Sequence, residues 1–175
     1  GIENICFAKS YNSLFSELLD REKDILSRRF GLQGDKGETL EKIGGLHKLT
    51  RERVRQIESA SIKKIKKLES LEDSIKVLKE TVRSLIKEHG GLIRRDYLLD
   101  ILTVMALELN NEKSLDDPDY EKNKASYRNH FNFLLSKLMN EDLELIGDNN
   151  KFNASFKLKN EEIGHLEELA DDLLK

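Results

Sequence analysis

The amino-acid sequence predicts a mainly α-helical fold, in which a helix-turn-helix domain precedes a winged helix-turn-helix domain with a small β-hairpin. Three observations support this prediction. Apolar residues recur every three or four positions through most of the 175 residues, which contain a single proline. Two short helical patterns flank a tight turn within residues 39–58. Towards the C-terminus, apolar residues alternate at period two around a Gly-Asp-Asn-Asn turn at residues 147–150.

The composition is that of a globular protein. Of all residues, 38% are hydrophobic and 36% are charged, so the chain is apolar enough to build a core. Cys6 is the single cysteine, so no intramolecular disulfide can form, and no signal peptide is recognisable. These features predict a cytoplasmic protein, and no apolar run reaches the roughly 20 residues that a membrane span needs. The first residue is Gly rather than Met, which predicts a processed tag or a fragment of a longer protein.

The charge is distributed unevenly along the chain. Residues 1–70 contain 15 Lys/Arg and 11 Asp/Glu, a net charge of +4, whereas residues 71–175 contain 15 and 22, a net charge of −7. Between His47 and Leu68 there are eight basic and two acidic residues. A local basic stripe on an acidic chain is typical of a DNA-reading element joined to another module; a solvated helix face is the alternative. We therefore predict two domains, residues 1–70 and 71–175.

The helix-turn-helix pattern lies in the first domain. Asp20 is the predicted N-cap of a helix that Gly31 ends. Thr39 can cap the next helix and Thr50 the one after it, with residues 47–49 as the turn between them. The side chains expected to face the core are Leu40, Ile43, Leu46, Val54, Ile57 and Ser61. Those expected to face outward from the last helix are Arg51, Glu52, Arg53, Arg55 and Gln56.

The helical spacing continues without Gly or Pro from Leu46 to His89, with a predicted break or kink near Ser70. A glycine pair then forms a turn before a very short strand, and helices are predicted at residues 95–109 and 126–140. Residues 110–124 are polar and are predicted to form a surface loop. The heptad-like spacing before His89 leaves a homodimer through a coiled coil as an alternative to packing within one chain.

The order of helix, short strand, helix, helix and hairpin is that of a winged helix-turn-helix. An acidic amphipathic helix at residues 161–174 follows it. This last helix either completes the winged-helix core or offers its apolar face to a partner.

Three motifs follow one another within residues 18–68. They are RE..IL..RFGL from Arg21, TLE.IG from Thr39, and the nearly unbroken LTRERVRQIE from Leu49. With this order and spacing, the segment resembles region four of the primary-type sigma factors of bacterial RNA polymerase. In that family, region four reads the upstream (minus-35) promoter hexamer and docks on the flap of the polymerase β subunit. The resemblance therefore implies two partners, double-stranded promoter DNA and RNA polymerase.

The resemblance also assigns roles to residues. It places Arg51, Glu52 and Gln56 at the base-reading positions, in agreement with their chemistry, since Arg pairs with guanine, Gln with adenine and Glu with cytosine. The implied phosphate-contacting residues are Thr50, Arg53, Arg55, Arg21 and Arg29. The predicted DNA-binding set is completed by Thr39, Lys48 and Lys63. Two positions depart from the family pattern: Ala60 stands where Lys is frequent, and Lys48 stands in the turn where Gly or Asp is frequent.

Residues 72–160 resemble, more loosely, the HARE-HTH winged-helix module, which also occurs in the delta subunit of some bacterial RNA polymerases. The resemblance rests on the element order, the glycine pair after the first helix and the final NASFKLK strand. It implies an adaptor that contacts nucleic acid or the transcription complex. The half of the chain that contains this segment, residues 71–175, has a net charge of −7, which favours a protein contact, because phosphate attraction dominates affinity for DNA.

No catalytic or metal-binding pattern is recognisable. The four histidines share no metal-ligand spacing with Cys6, so we expect no enzyme activity, no metal and no cofactor. The sequence therefore predicts a sequence-specific, sigma-factor-like transcription factor that recognises a minus-35-type element in the major groove and contacts RNA polymerase. The alternative is a protein-interaction module that binds the polymerase β flap or an anti-sigma-like regulator, with weak DNA binding.

Overall fold

The computed structural model describes residues 12–110, 116–147 and 154–159. The predicted acidic last helix, Cys6 and the hairpin turn at residues 148–150 lie outside them. Within the described residues the protein is mainly α-helical with a small antiparallel sheet, which confirms the predicted fold class.

The first part of the fold, the HTH unit (residues 12–68), is built mainly from three helices. They are α1 (Asp20–Phe30), α2 (Leu40–His47) and α3 (Arg51–Lys66). Asp20 is not the N-cap that the sequence predicted, because Leu19 occupies that position. Glu22 performs the capping instead: its carboxylate accepts a hydrogen bond from the Leu19 backbone N–H at 3.0 Å. Gly31 ends α1 as predicted, in the left-handed conformation with φ of 65°.

The HTH unit has a small core of its own where its three helices meet. Its buried members are Ile25, Leu40, Ile43, Val54 and Ile57, with Leu49 packed against them. Leu46 was predicted to face this core, but it is 56% exposed. The inward stripe of α2 runs instead through Gly44, which is buried, and His47, which contacts Asp24 of α1.

The predicted break near Ser70 is confirmed. Helix α3 ends at Lys66, and the next helix, α4 (Leu71–Glu88), begins after a short turn. The Ser70 side chain makes no capping hydrogen bond, so the turn is set by the backbone. Two glycines with positive φ, Gly90 and Gly91, follow α4, because L-residues with side chains rarely adopt such angles.

The winged unit (residues 71–159) has the element order that the sequence predicted. After α4 come β1 (Leu92–Arg94), α5 (Arg95–Leu109), α6 (Tyr120–Phe133), a π-helical segment (Leu134–Leu138), β2 (Leu143–Ile146) and β3 (Ser155–Leu158). The strands form an antiparallel sheet in the order β1-β3-β2. Phe156 of β3 lies opposite Ile93 on one side and Leu145 on the other. The sheet therefore combines the predicted hairpin with the predicted short strand.

The boundaries of α6 differ from the prediction. The sequence predicted a loop to residue 124 and a helix at 126–140, whereas α6 begins at Tyr120 and changes to π-helical geometry at Leu134. The first two turns of α6 are polar, so no apolar stripe marks them in the sequence. These polar residues contact another part of the same chain, as described below.

The HTH unit and the winged unit share one apolar core. Leu26, Leu32 and Ile65 of the HTH unit are buried in the same cluster as Phe131 and Phe133 of α6. The Phe133 ring also lies against two aromatic rings of the HTH unit, with ring centroids 4.8 Å from Phe30 and 6.1 Å from Phe15.

Candidate nucleic-acid interface

The turn between α2 and α3 is tight because of two residues. Lys48 adopts the left-handed conformation with φ of 55°, and the Leu49 backbone N–H donates to the Gly44 carbonyl oxygen at 2.9 Å. A Cβ atom on Gly44 would lie 2.6 Å from the Leu49 carbonyl oxygen. The turn therefore requires glycine at position 44.

Thr50 caps α3 as predicted. Its Oγ1 accepts a hydrogen bond from the Arg53 backbone N–H at 3.1 Å, so the side chain replaces one of the missing helical partners. Val54, Ile57 and Ser61 are buried on the inner face of α3, as the spacing predicted. The N-terminal end of α3 keeps its positive helix-dipole charge, which favours a phosphate.

The predicted base-reading residues lie together on the exposed face of α3. Arg51 is 69% exposed at its side chain and pairs with Glu41 of α2 at 3.1 Å. Glu52 receives two hydrogen bonds from Arg55, at 2.9 and 2.6 Å. Gln56 accepts from Arg53 at 3.4 Å. These pairs lie on the surface and contribute little stability, so a ligand can replace them at low cost.

The Glu52–Arg55 pair polarises this face. The hydrogen bond from Arg55 lowers the pKa of Glu52 below its ordinary value, and the same bond raises the pKa of Arg55. Both groups are therefore charged at neutral pH. Glu52 is held as an acceptor and Arg55 as a donor, which are the states needed for a cytosine edge and a phosphate.

The remaining members of the predicted set differ in how far their side chains are held by contacts within the protein. Arg21, Lys48 and Lys63 are exposed. Thr39 caps α2, accepting from the Lys42 backbone N–H at 3.2 Å. Arg29 is more constrained, since it donates to the Glu38 carbonyl oxygen at 3.0 Å and pairs with Glu58 of α3 at 3.4 Å.

A buried polar cluster beside α3 was not recognised in the sequence. Glu22 accepts from the Ser61 hydroxyl at 3.1 Å and from the Lys64 ammonium at 2.8 Å, in addition to its bond with Leu19. Burial raises the pKa of Glu22, but the hydrogen bonds outweigh burial and lower it overall. The cluster fixes α1 against α3. An acidic residue in the first turn of α1 was its only sequence signal.

Among residues 12–110, 116–147 and 154–159, no group of His, Cys, Asp and Glu side chains is arranged to hold a metal ion. The same part of the chain contains no helix that is both long and apolar enough to span a bilayer.

The geometry of α2, the turn and α3 defines a helix-turn-helix whose second helix has an exposed outer face. Comparison with known families extends this to a particular kind: residues 14–67 match the family described as sigma-70, region 4. This match confirms the resemblance seen in the sequence for that segment, which is about a third of the chain.

Curated relatives match the same part of the chain. The RNA polymerase sigma factor SigA of Lactococcus lactis subsp. cremoris is 42% identical over 62 residues, which cover 35% of this chain and 17% of the relative. SigA1 of Synechococcus elongatus is 45% identical over 53 residues, covering 30% and 13%. RpoD of Helicobacter pylori is 51% identical over 55 residues, covering 31% and 8%. The chain thus spans less than a fifth of the length of each of these relatives.

Proposed function

We propose that the chain is a sigma-factor-like transcription factor that recognises a minus-35-type promoter element and contacts RNA polymerase in the cytoplasm. The observation that carries this proposal is the exposed face of α3, where Arg51, Glu52 and Gln56 stand next to a capped helix N-terminus. The match of residues 14–67 to sigma-70 region 4 supports the same conclusion.

The proposed mode of action is binding without chemistry. Phosphate contacts from Thr50, Arg53 and Arg55 set the position of α3 on the duplex, and they carry no sequence information. Arg51, Glu52 and Gln56 then read base edges in the major groove, whose width admits one α-helix. Arg21, on α1, extends the phosphate contacts. Arg29 has a second role as a brace between α1, the following loop and α3.

Selection of bound sequences from random duplex DNA, with and without RNA polymerase, tests the proposal. We expect a hexamer resembling the upstream promoter element. Arg51→Ala and Gln56→Ala should each cost about 1–3 kcal/mol at the selected site and relax the preference at one base pair. Arg53→Ala is the matched control, because loss of a phosphate contact weakens binding to all sequences and lowers the salt slope by about 1.

A uniform loss of affinity with Arg51→Ala and Gln56→Ala would show that these residues do not read bases. Absence of duplex binding at low salt would remove the DNA-binding proposal altogether.

A second candidate function is a protein contact made by the HTH unit itself, with the polymerase β flap or an anti-sigma-like regulator. It is favoured by two exposed leucines of this unit, Leu19 at 64% and Leu46 at 56% exposed. Capture of purified RNA polymerase by the full chain should weaken with Leu46→Ser, and Ala60→Ser, at an exposed position of α3, serves as the control. Equal capture by the two variants would exclude Leu46 from that contact.

A further inference from the structure

Helix α6 is the third helix of the winged unit, and in a winged helix that reads DNA this helix enters the major groove with the face opposite its core. In this protein the core face of α6 carries Phe131, whose side chain is buried. At 3.6 residues per turn, Lys122, Ser126, Asn129 and Phe133 lie on the opposite face, spaced by four, three and four positions. Helix α6 can therefore bind DNA only if this second face is accessible.

The opposite face of α6 is occupied by the HTH unit. The Ser126 hydroxyl donates to the Leu32 carbonyl oxygen at 2.6 Å. The Asn129 amide donates to the carbonyl oxygens of Gly31 at 2.9 Å and Asp35 at 3.3 Å. Side chains of α6 thus satisfy three backbone acceptors in the loop that joins α1 to α2.

The loop approaches α6 closely at its glycines. A Cβ atom on Gly34 would collide with the Lys122 carbonyl oxygen, and one on Gly31 would lie 2.8 Å from the Asn129 amide nitrogen. Both glycines have positive φ, so the loop conformation and the close approach require the same residue type. At the far end of the face, Phe133 packs on Phe30, which extends the contact into the shared core.

The flank of α6 is also occupied. Arg128 pairs with Asp96 at 3.2 Å and with Asp100 at 3.3 Å, both on α5. Its positive charge is therefore balanced within the winged unit. A helix with side chains is about 10–12 Å across, which is close to the width of the major groove, so α6 cannot enter the groove while the loop covers it.

We infer that α6 is an intramolecular docking surface for the loop at residues 31–35, and that the winged unit serves as a mount for the HTH unit instead of a second DNA-reading module. Within its described residues, the chain accordingly presents one recognition helix, α3. Docking of α6 does not depend on what α3 binds.

Hydrogen exchange of the full chain tests the docking directly. In the double variant Ser126→Ala/Asn129→Ala, the loop amides of Leu32, Gly34 and Glu38 should exchange about tenfold faster, since three side-chain hydrogen bonds to the loop are lost. The α3 amides should keep their exchange rates. Lys124→Ala, an exposed change on the same helix, is the control and should leave the loop unchanged.

Unchanged loop exchange in the double variant would overturn the inference. If the double variant unfolds, which would accelerate exchange everywhere, Ser126→Ala alone decides by the same criterion.

A second experiment addresses DNA. Lys122→Gln and Lys76→Gln each remove one exposed positive charge, the first from α6 and the second from α4. We expect equal and less than about twofold effects on duplex affinity, because neither helix touches DNA. A clearly larger loss for Lys122→Gln would place α6 on the duplex and overturn the inference. If the chain binds no duplex, the exchange measurement alone decides, so failure of the two proposals can be told apart.

Discussion

Replacing either of two adjacent glycines in α2 by alanine should change the free energy of unfolding, but in opposite directions. A Cβ atom on Gly44 would lie 2.6 Å from the Leu49 carbonyl oxygen, whereas one on Gly45 would have no heavy atom within 4 Å. Alanine is favoured over glycine within a helix by roughly 1 kcal/mol, so Gly45→Ala should raise the free energy of unfolding by about 0.5–1 kcal/mol.

The Gly44→Ala variant should do the reverse. Ordinary contact begins near 3.4 Å, so the turn must move by about 0.8 Å to admit the methyl group. Such overpacking costs about 1–3 kcal/mol. Weakening of the hydrogen bond from Leu49 to Gly44 adds about 1 kcal/mol, and the helical preference of alanine offsets about 1 kcal/mol. The net loss is about 1–3 kcal/mol.

Urea unfolding of the full chain at neutral pH measures both changes in the free energy of unfolding. The comparison requires that the slope of this free energy against urea concentration is the same in all variants. Since Thr50 and Arg51 directly follow the turn, Gly44→Ala should also reduce DNA affinity by more than the unfolded fraction explains, and Gly45→Ala should leave it unchanged. Equal stability changes in the two variants, or a Gly44→Ala protein as stable as the parent, would refute the contact on which this reasoning rests.

Three other substitutions test separate parts of the site. Glu22→Gln should lower the free energy of unfolding by about 1–3 kcal/mol at neutral pH, because a buried charged acceptor is lost. The pKa of Glu22 in the folded protein lies below its ordinary value of 4.5. Urea unfolding should therefore show the full difference between the two proteins above pH 4.5, and a smaller difference as the pH falls through the folded pKa. Lys48→Gly should raise the free energy of unfolding by about 0.5–1 kcal/mol, because glycine adopts the left-handed conformation without strain. The same change should lower the affinity for duplex DNA through loss of one positive charge. Glu52→Gln should release Arg55 and increase gel-shift affinity for all sequences while weakening discrimination; unchanged affinity would mean that Arg55 does not contact phosphate.

Sequence reasoning succeeded where the determinants are local. Thr50 and the spacing of Val54, Ile57 and Ser61 defined α3, because a cap and an amphipathic stripe act within one helix. It failed at Leu46, which is exposed, because the inner face of α2 passes through Gly44 instead. It also missed the first turns of α6, whose polar side chains find their partners nearly 100 residues away in the chain. Contacts of this kind leave no periodic signal.

The position of the winged unit is compatible with its charge. Residues 71–159 contain 14 Lys/Arg and 16 Asp/Glu, a net charge of −2, so they offer phosphates little net attraction. The structure describes contacts of the winged unit with α1, with the loop and with the C-terminal end of α3, where Lys66 donates to Asn140 at 2.8 Å. Arg51 stands at the other end of α3, 15 residues earlier, or about 22 Å at the helical rise.

On the proposed function, the winged unit can therefore support α3 at its C-terminal end without contacting the DNA. The support reaches α3 through short links. Helix α6 holds the loop at residues 31–35, Arg29 holds the loop end at Glu38, and the next residue, Thr39, caps α2. Each link is a hydrogen bond to or from the backbone, so a displacement at α6 has little slack to absorb it before it reaches the turn. On the proposed function, the winged unit would therefore affect DNA recognition through the position of α3 and not through contacts with phosphate.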